Sequence, residues 1–85
     1  VLGDSMIDEG ILEDDYVIIK EQATAEHGQV VVAVVDNEAT IKHFYKKKGS
    51  IELHSANEKY KPIVIKPTQE FKIAGILRGL IRHVF

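Results

Sequence analysis

Between residues 29 and 46 the chain carries two β-rich runs, Gln29 to Val35 and Ala39 to Lys46, separated only by Asp36-Asn37-Glu38. Val30 to Val35 is wholly apolar and almost wholly β-branched, a composition that restricts χ1 in a helix and packs well on a pleated sheet. Asp-Asn tolerates the positive φ that a tight hairpin connection demands. The two runs therefore predict an antiparallel hairpin, and the rest of the chain has to fit around it.

The flanking segments read mostly as further strands. Tyr16-Val17-Ile18-Ile19 is short and rich in β-branched residues with charged flanks, which predicts a buried strand followed by a turn over Ala23 to Gly28. Lys47-Lys48-Gly49-Ser50 predicts a second turn, Ile51-Glu52-Leu53-His54 alternates like a half-buried strand, and Asn57 to Lys61 reads as a connection before Pro62 opens Ile63-Val64-Ile65. Phe71 to Phe85 fits either a helix or a bent strand by spacing. Gly75 and Gly79 decide for a strand with a bulge or bend, since each glycine costs a helix about 1 kcal/mol relative to alanine. One short helical piece is expected over Ser5 to Ile11, with Ser5 as its cap and Gly10 as its end. The fold class is mostly β.

Composition narrows the organisation and the chemistry. With 85 residues, 45% of them hydrophobic, residues 1–85 are expected to form a single domain around one core. A net charge of −2 and a pI near 6.1 provide no basic excess for gripping a phosphate backbone. Without cysteine there is no disulfide, thiolate metal site or cysteine nucleophile. No apolar run approaches the roughly 20 residues that cross a bilayer as a helix. The histidines at 27, 43, 54 and 83 include no pair at the helical i, i+4 spacing of a metal site, and Glu13-Asp14-Asp15 does not follow a calcium-loop pattern, so neither metal nor cofactor is expected.

Two residues are candidates for chemistry. Gly3-Asp4-Ser5-Met6 puts a serine on a glycine-preceded turn that can expose its hydroxyl and converge backbone N–H groups, although serine in that place is also an ordinary helix cap. Lys42 lies in the second β-rich run, where alternation puts Thr40, Lys42 and Phe44 on one face and Ile41, His43 and Tyr45 on the other. Taken alone it is an ordinary strand lysine. A Ser-His-Asp arrangement is disfavoured, because the second glycine of a G-x-S-x-G elbow is missing and His43 faces away from Lys42.

Gly3-Asp4-Ser5-Met6-Ile7-Asp8 with Gly10-Ile11 resembles the nucleophile motif of the LexA and UmuD peptidase family, and Ala39-Thr40-Ile41-Lys42 is similar to its catalytic-lysine strand. The separation of the two motifs agrees, as do Gly28 to Ala33, Asn57 and Lys61-Pro62-Ile63. The resemblance implies small, bent antiparallel sheets of the LexA and signal-peptidase type, with Ser5 as nucleophile and Lys42 as general base. It further implies an oxyanion hole made by the backbone N–H groups of Asp4 and Ser5. A serine hydroxyl needs such a base, and lysine acts as one only when neutral. At an ordinary pKa of about 10.4, only roughly 4 in 10,000 amines are neutral at pH 7, so burial must lower that value, with Phe44 contributing. Thr40, on the same face, has a hydroxyl able to orient the amine but is equally an ordinary strand residue, and it stays outside the predicted site.

The family resemblance also implies partners and setting. The expected protein is a bacterial, cytoplasmic repressor of DNA-damage genes that cuts its own chain when stimulated by a RecA-nucleoprotein filament. It would form a homodimer through its carboxy-terminal strand, where Ile73, Ile76, Leu77, Leu80, Ile81, Val84 and Phe85 offer apolar surface. Operator DNA would be bound only through an amino-terminal domain, which, like the cleavage-site loop, is expected to lie outside these residues. A UmuD-like polymerase accessory subunit, a phage repressor domain and a module acting mainly in dimerisation are the alternatives. The sequence departs from the family at Asp14, where relatives usually have glycine, and at Ser55-Ala56, which replace a common Pro-Glu.

Overall fold

The computed structural model describes residues 1–82. Six strands, β1 (Tyr16–Glu21), β2 (Val30–Val35), β3 (Glu38–Lys47), β4 (Ser50–His54), β5 (Ile63–Val64) and β6 (Phe71–Ile81), form one antiparallel sheet in the order β1-β6-β2-β3-β4-β5. The mostly β reading holds. The central hairpin closes with Val35 opposite Glu38, leaving Asp36 and Asn37 as a two-residue loop with φ of 48° and 71°. Positive φ at both loop positions is the requirement of the type I′ turn, whose twist matches that of the strands it joins.

β6 is a strand, as its glycines indicated, and it is bent twice. Its register slips by one residue opposite Ile18/Ile19 of β1 and again opposite Val32/Ala33 of β2. Each slip is a bulge that increases local twist. Gly75 stands at the crossing with β1, where a Cβ would come within 2.5 Å of the Lys20 carbonyl oxygen. The glycine is thus needed for close backbone approach as well as being a poor helix former.

Val31, Ala33, Phe44, Leu53, Ile73 and Ile76 make the core on one face of the sheet. The expectation of a buried first strand is corrected here. Among the described residues β1 is an edge strand paired with β6 alone, and Tyr16, Ile18 and Ile19 are 72%, 48% and 38% exposed. The apolar surface expected of the carboxy-terminal strand is also reapportioned. Between β1 and β2, β6 occupies an interior position, and Ile73 and Ile76 are spent on the core, while Leu80 and Ile81 are exposed. His83, Val84 and Phe85 lie outside the described residues.

Asp14 has φ of 70°, a left-handed conformation that glycine adopts without steric cost, which fits the glycine that the resemblance leads one to expect at this position. Beside it, Asp15 is buried and accepts from the Leu12 N–H at 2.8 Å and from Arg82 Nε and Nη2, both at 2.8 Å. Arg82 Nη2 also donates to the Gly10 carbonyl at 2.7 Å. The end of β6 is thereby tied to the loop after the serine turn. With Arg82 as the main cause, the Asp15 carboxyl is held down to about 2.

Candidate active site

The serine turn is held by two buried residues, Met6 and Ile11, with an exposed stretch between them. Gly3, with φ of 81°, turns the chain so that Asp4 and Ser5 pass over the sheet, and the buried side chains of Met6 and Ile11 fasten the next segment to the body of the domain. A single 3-10 turn, Ile7–Glu9, ends at Gly10 in the left-handed conformation. The expected helical piece is therefore present but shorter, and Ser5 is not its cap. Met6 occupies the cap position without a side-chain capping bond, and the Ser5 hydroxyl is directed to Lys42.

Lys42 projects from β3 opposite Val31 of β2, on the same face as Thr40 and buried Phe44. Its residue exposure is only 7%, and burial alone lowers the amine's pKa from the ordinary 10.5. Nζ lies 2.8 Å from Ser5 Oγ, 2.9 Å from Thr40 Oγ1 and 3.1 Å from the Ile41 carbonyl oxygen. Three acceptors satisfy the three donors of an ammonium group. A neutral amine is satisfied by the same atoms: it donates to Thr40 and Ile41 and turns its lone pair toward the Ser5 proton. The geometry thus accommodates both protonation states, and the neutral one is aligned to take a proton from Ser5.

The structure thus brings Ser5 and Lys42 together. Asp4 stands beside Ser5; its N–H faces its own carboxylate, and among the described residues the Ser5 N–H donates to no backbone or side-chain acceptor. Thr40, left outside the predicted set, touches the amine directly. Strand alternation pointed to it, but its high strand propensity offered an equally good account. Asn57, Lys59 and Tyr60 also reach the turn: Asn57 Nδ2 donates to the Asp4 carbonyl at 2.8 Å, the Tyr60 hydroxyl donates to Asp4 Oδ1 at 2.5 Å, and Lys59 Nζ lies 2.6 Å from Asp4 Oδ2. Lys59, then Tyr60, lowers the Asp4 pKa. Only the chain's return path reveals these contacts.

His43 lies on the opposite face of β3 from Lys42, with Nε2 3.4 Å from Glu9 Oε1, and Tyr45 packs against the rings of His27 and His54. Among the described residues, no three His, Cys, Asp or Glu side chains are grouped to hold a metal ion, and no helix is long and apolar enough to cross a membrane.

Open grooves flank Ser5. One of about 350 Å³ is mainly apolar, with Leu2, Met6, Val17, Val32 and Ile41 in its wall. The other, of about 400 Å³, is bounded by Thr40, Lys42, Ser55, Tyr60, Lys61 and Ile63. Both have the dimensions of clefts that take a ligand or peptide segment.

A buried amine bonded to a serine hydroxyl between two clefts is an arrangement suited to peptide hydrolysis, and the chain belongs to the S24-like peptidases, whose family model, described as Peptidase S24-like, matches residues 1–78. It is a serine peptidase-type domain. Among individual proteins it is similar to the LexA repressor of Syntrophotalea carbinolica, 53% identical over 83 residues covering 98% of this chain and 41% of the relative. LexA repressors of Acetivibrio thermocellus (48% identity; 94% and 38% covered) and Bacillus subtilis (47%; 99% and 40%) are similar as well. The chain spans about two fifths of the length of these relatives.

Proposed function

We propose that these residues form the self-cleaving domain of a LexA-type transcriptional repressor, with Ser5 as nucleophile and Lys42 as general base. The observation that carries this reading is the 2.8 Å approach of a buried, pKa-lowered Nζ to Ser5 Oγ. Neutral Lys42 takes the Ser5 proton as Oγ attacks a carbonyl carbon of the same polypeptide, and the Asp4 and Ser5 amides stabilise the resulting oxyanion. Lys42, now charged, returns the proton to the departing amine. Water then attacks the acyl-enzyme with Lys42 again as base, which frees Ser5 and the new carboxylate. Thr40 and the Ile41 carbonyl hold Nζ in line throughout.

The relatives named LexA repressor favour a repressor over a UmuD-like accessory subunit. In this reading the protein acts in the bacterial cytoplasm, meets operator DNA through a region outside these residues, and cleaves itself when a RecA-nucleoprotein filament stabilises the reactive conformation. Homodimer formation is part of the proposal. Exposed Tyr16, Ile18 and Ile81 share one face where β1 pairs with the end of β6, so the contact expected of the carboxy-terminal strand is narrowed to that exposed end and the adjoining edge.

The test is incubation of the full-length protein across pH 7 to 11, with the products resolved by gel electrophoresis. Cleavage should accelerate as neutral lysine becomes populated and vanish in Ser5→Ala and Lys42→Ala. Cutting that persists in either variant, at a rate comparable to the parent's, removes the assignment.

A further inference from the structure

Residues 56–60 grip the serine turn at several points, although they approach it from the far end of β4. Asn57 Nδ2 donates to the Asp4 carbonyl, which also accepts from the Ile7 N–H at 3.3 Å. The Ala56 carbonyl accepts from the Asp8 N–H at 2.7 Å, and the Ala56 N–H points at Met6 Sδ at 3.3 Å. Tyr60 and Lys59 hold the Asp4 carboxylate. The Asn57 side chain is itself fixed: its Oδ1 accepts from the Lys59 N–H at 3.2 Å, which defines which end of the amide faces Asp4.

The carbonyl that Asn57 holds belongs to the same rigid peptide plane as the Ser5 N–H. In a trans peptide the two point in opposite directions, so fixing the carbonyl fixes the direction of the amide. Resting on the reading of Ser5 as nucleophile, we propose that Asn57 is a positioning residue for catalysis: by anchoring the Asp4 carbonyl it aims the Ser5 N–H at the oxyanion, and Tyr60 steadies the same peptide through the Asp4 carboxylate. Asn57 touches neither substrate nor Lys42 in this role. Its loss should therefore weaken stabilisation of the oxyanion while leaving the titration of the base unchanged.

The experiment is the pH–rate profile of self-cleavage in the full-length protein for Asn57→Asp, which keeps the shape but replaces the donor by an acceptor, and for Asn57→Ala. The alkaline plateau should fall about tenfold to a hundredfold, less than the loss typical of removing an oxyanion donor outright, because the amide remains and only its aim is relaxed. The pH midpoint, which reports Lys42, should stay where it is in the parent protein. Tyr60→Phe removes one partly exposed hydroxyl at little risk to folding and should lower the plateau about threefold. Circular dichroism establishes that each variant is folded. A folded Asn57 variant with the parent's plateau overturns the proposal, as does one whose midpoint moves with its plateau. Should neither Asn57 variant fold, an unchanged plateau in Tyr60→Phe overturns it. Ser5→Ala and Lys42→Ala run alongside: continued cleavage in them discredits the dyad, whereas their silence combined with a normal Asn57 variant discredits only the positioning role.

Discussion

Replacing Lys42 with methionine should make the protein more stable at neutral pH while abolishing cleavage. Methionine keeps an unbranched stem and removes the charge whose burial depresses the amine's pKa. Exchanging buried charge for a fitting apolar side chain is neutral to stabilising, by up to about 4 kcal/mol. Against this stand the three bonds donated by Nζ, each contributing about 1 kcal/mol net. Ser5 and Thr40 line open grooves, so their hydroxyls regain partners from water and only part of that contribution is lost. The balance is a gain of about 1 kcal/mol, or a rise in Tm of about 4–8 °C for a domain of this size.

The pH dependence of that gain identifies its origin. Lys42 titrates below 10.5 in the folded protein, so between its folded pKa and 10.5 the unfolded chain binds the additional proton and stability increases with pH. Lys42→Met lacks this increase. Its advantage should be greatest below the folded pKa and shrink as pH rises toward 10.5, with other titrating groups cancelling in the comparison. Paired thermal melts at pH 7 and pH 10, monitored by circular dichroism, measure both effects. A variant less stable than the parent at pH 7 by over about 1 kcal/mol, or an offset identical at both pH values, would refute the reasoning.

Two further outcomes come from the packing. Gly75→Ala should cost about 1–3 kcal/mol in denaturant unfolding, because the new methyl meets backbone at the β1–β6 crossing and neither strand can withdraw without breaking the register; an unchanged midpoint would show that the crossing yields. Asp15→Asn should lower Tm at pH 7, and the deficit should narrow as pH falls from the ordinary 3.8 toward about 2, where the native carboxylate also loses its charge. A deficit that stays constant down to pH 2 would assign the loss to something other than the Arg82 pair.

Features set by local chemistry could be read from the sequence, and those set by distant chain could not. Asp36-Asn37 announced its turn because positive φ is a property of the residues in it. Alternation along β3 put Thr40, Lys42 and Phe44 together because strand geometry has a fixed period. Tyr16 to Ile19 was legible as strand but not as edge, since an apolar run states what a segment can bury and not which neighbours the topology supplies. Ser5 and Lys42 were each ambiguous until taken as a pair. Thr40 carried a signal that its strand propensity masked. Asn57 and Tyr60 act on Asp4 across 53 and 56 positions, and only the folded path of the chain joins them.

The serine turn takes its alignment from residues synthesised long after it. Its grips come from Ala56, Asn57, Tyr60 and Arg82, and β6 must enter between β1 and β2 before Arg82 can reach Gly10. During amino-to-carboxy synthesis Ser5 therefore emerges before any of the residues that align its turn. Under the function proposed above, competence to cut would be acquired only when the last of these strands is seated, and the order in which the parts appear would protect a half-made chain from its own chemistry.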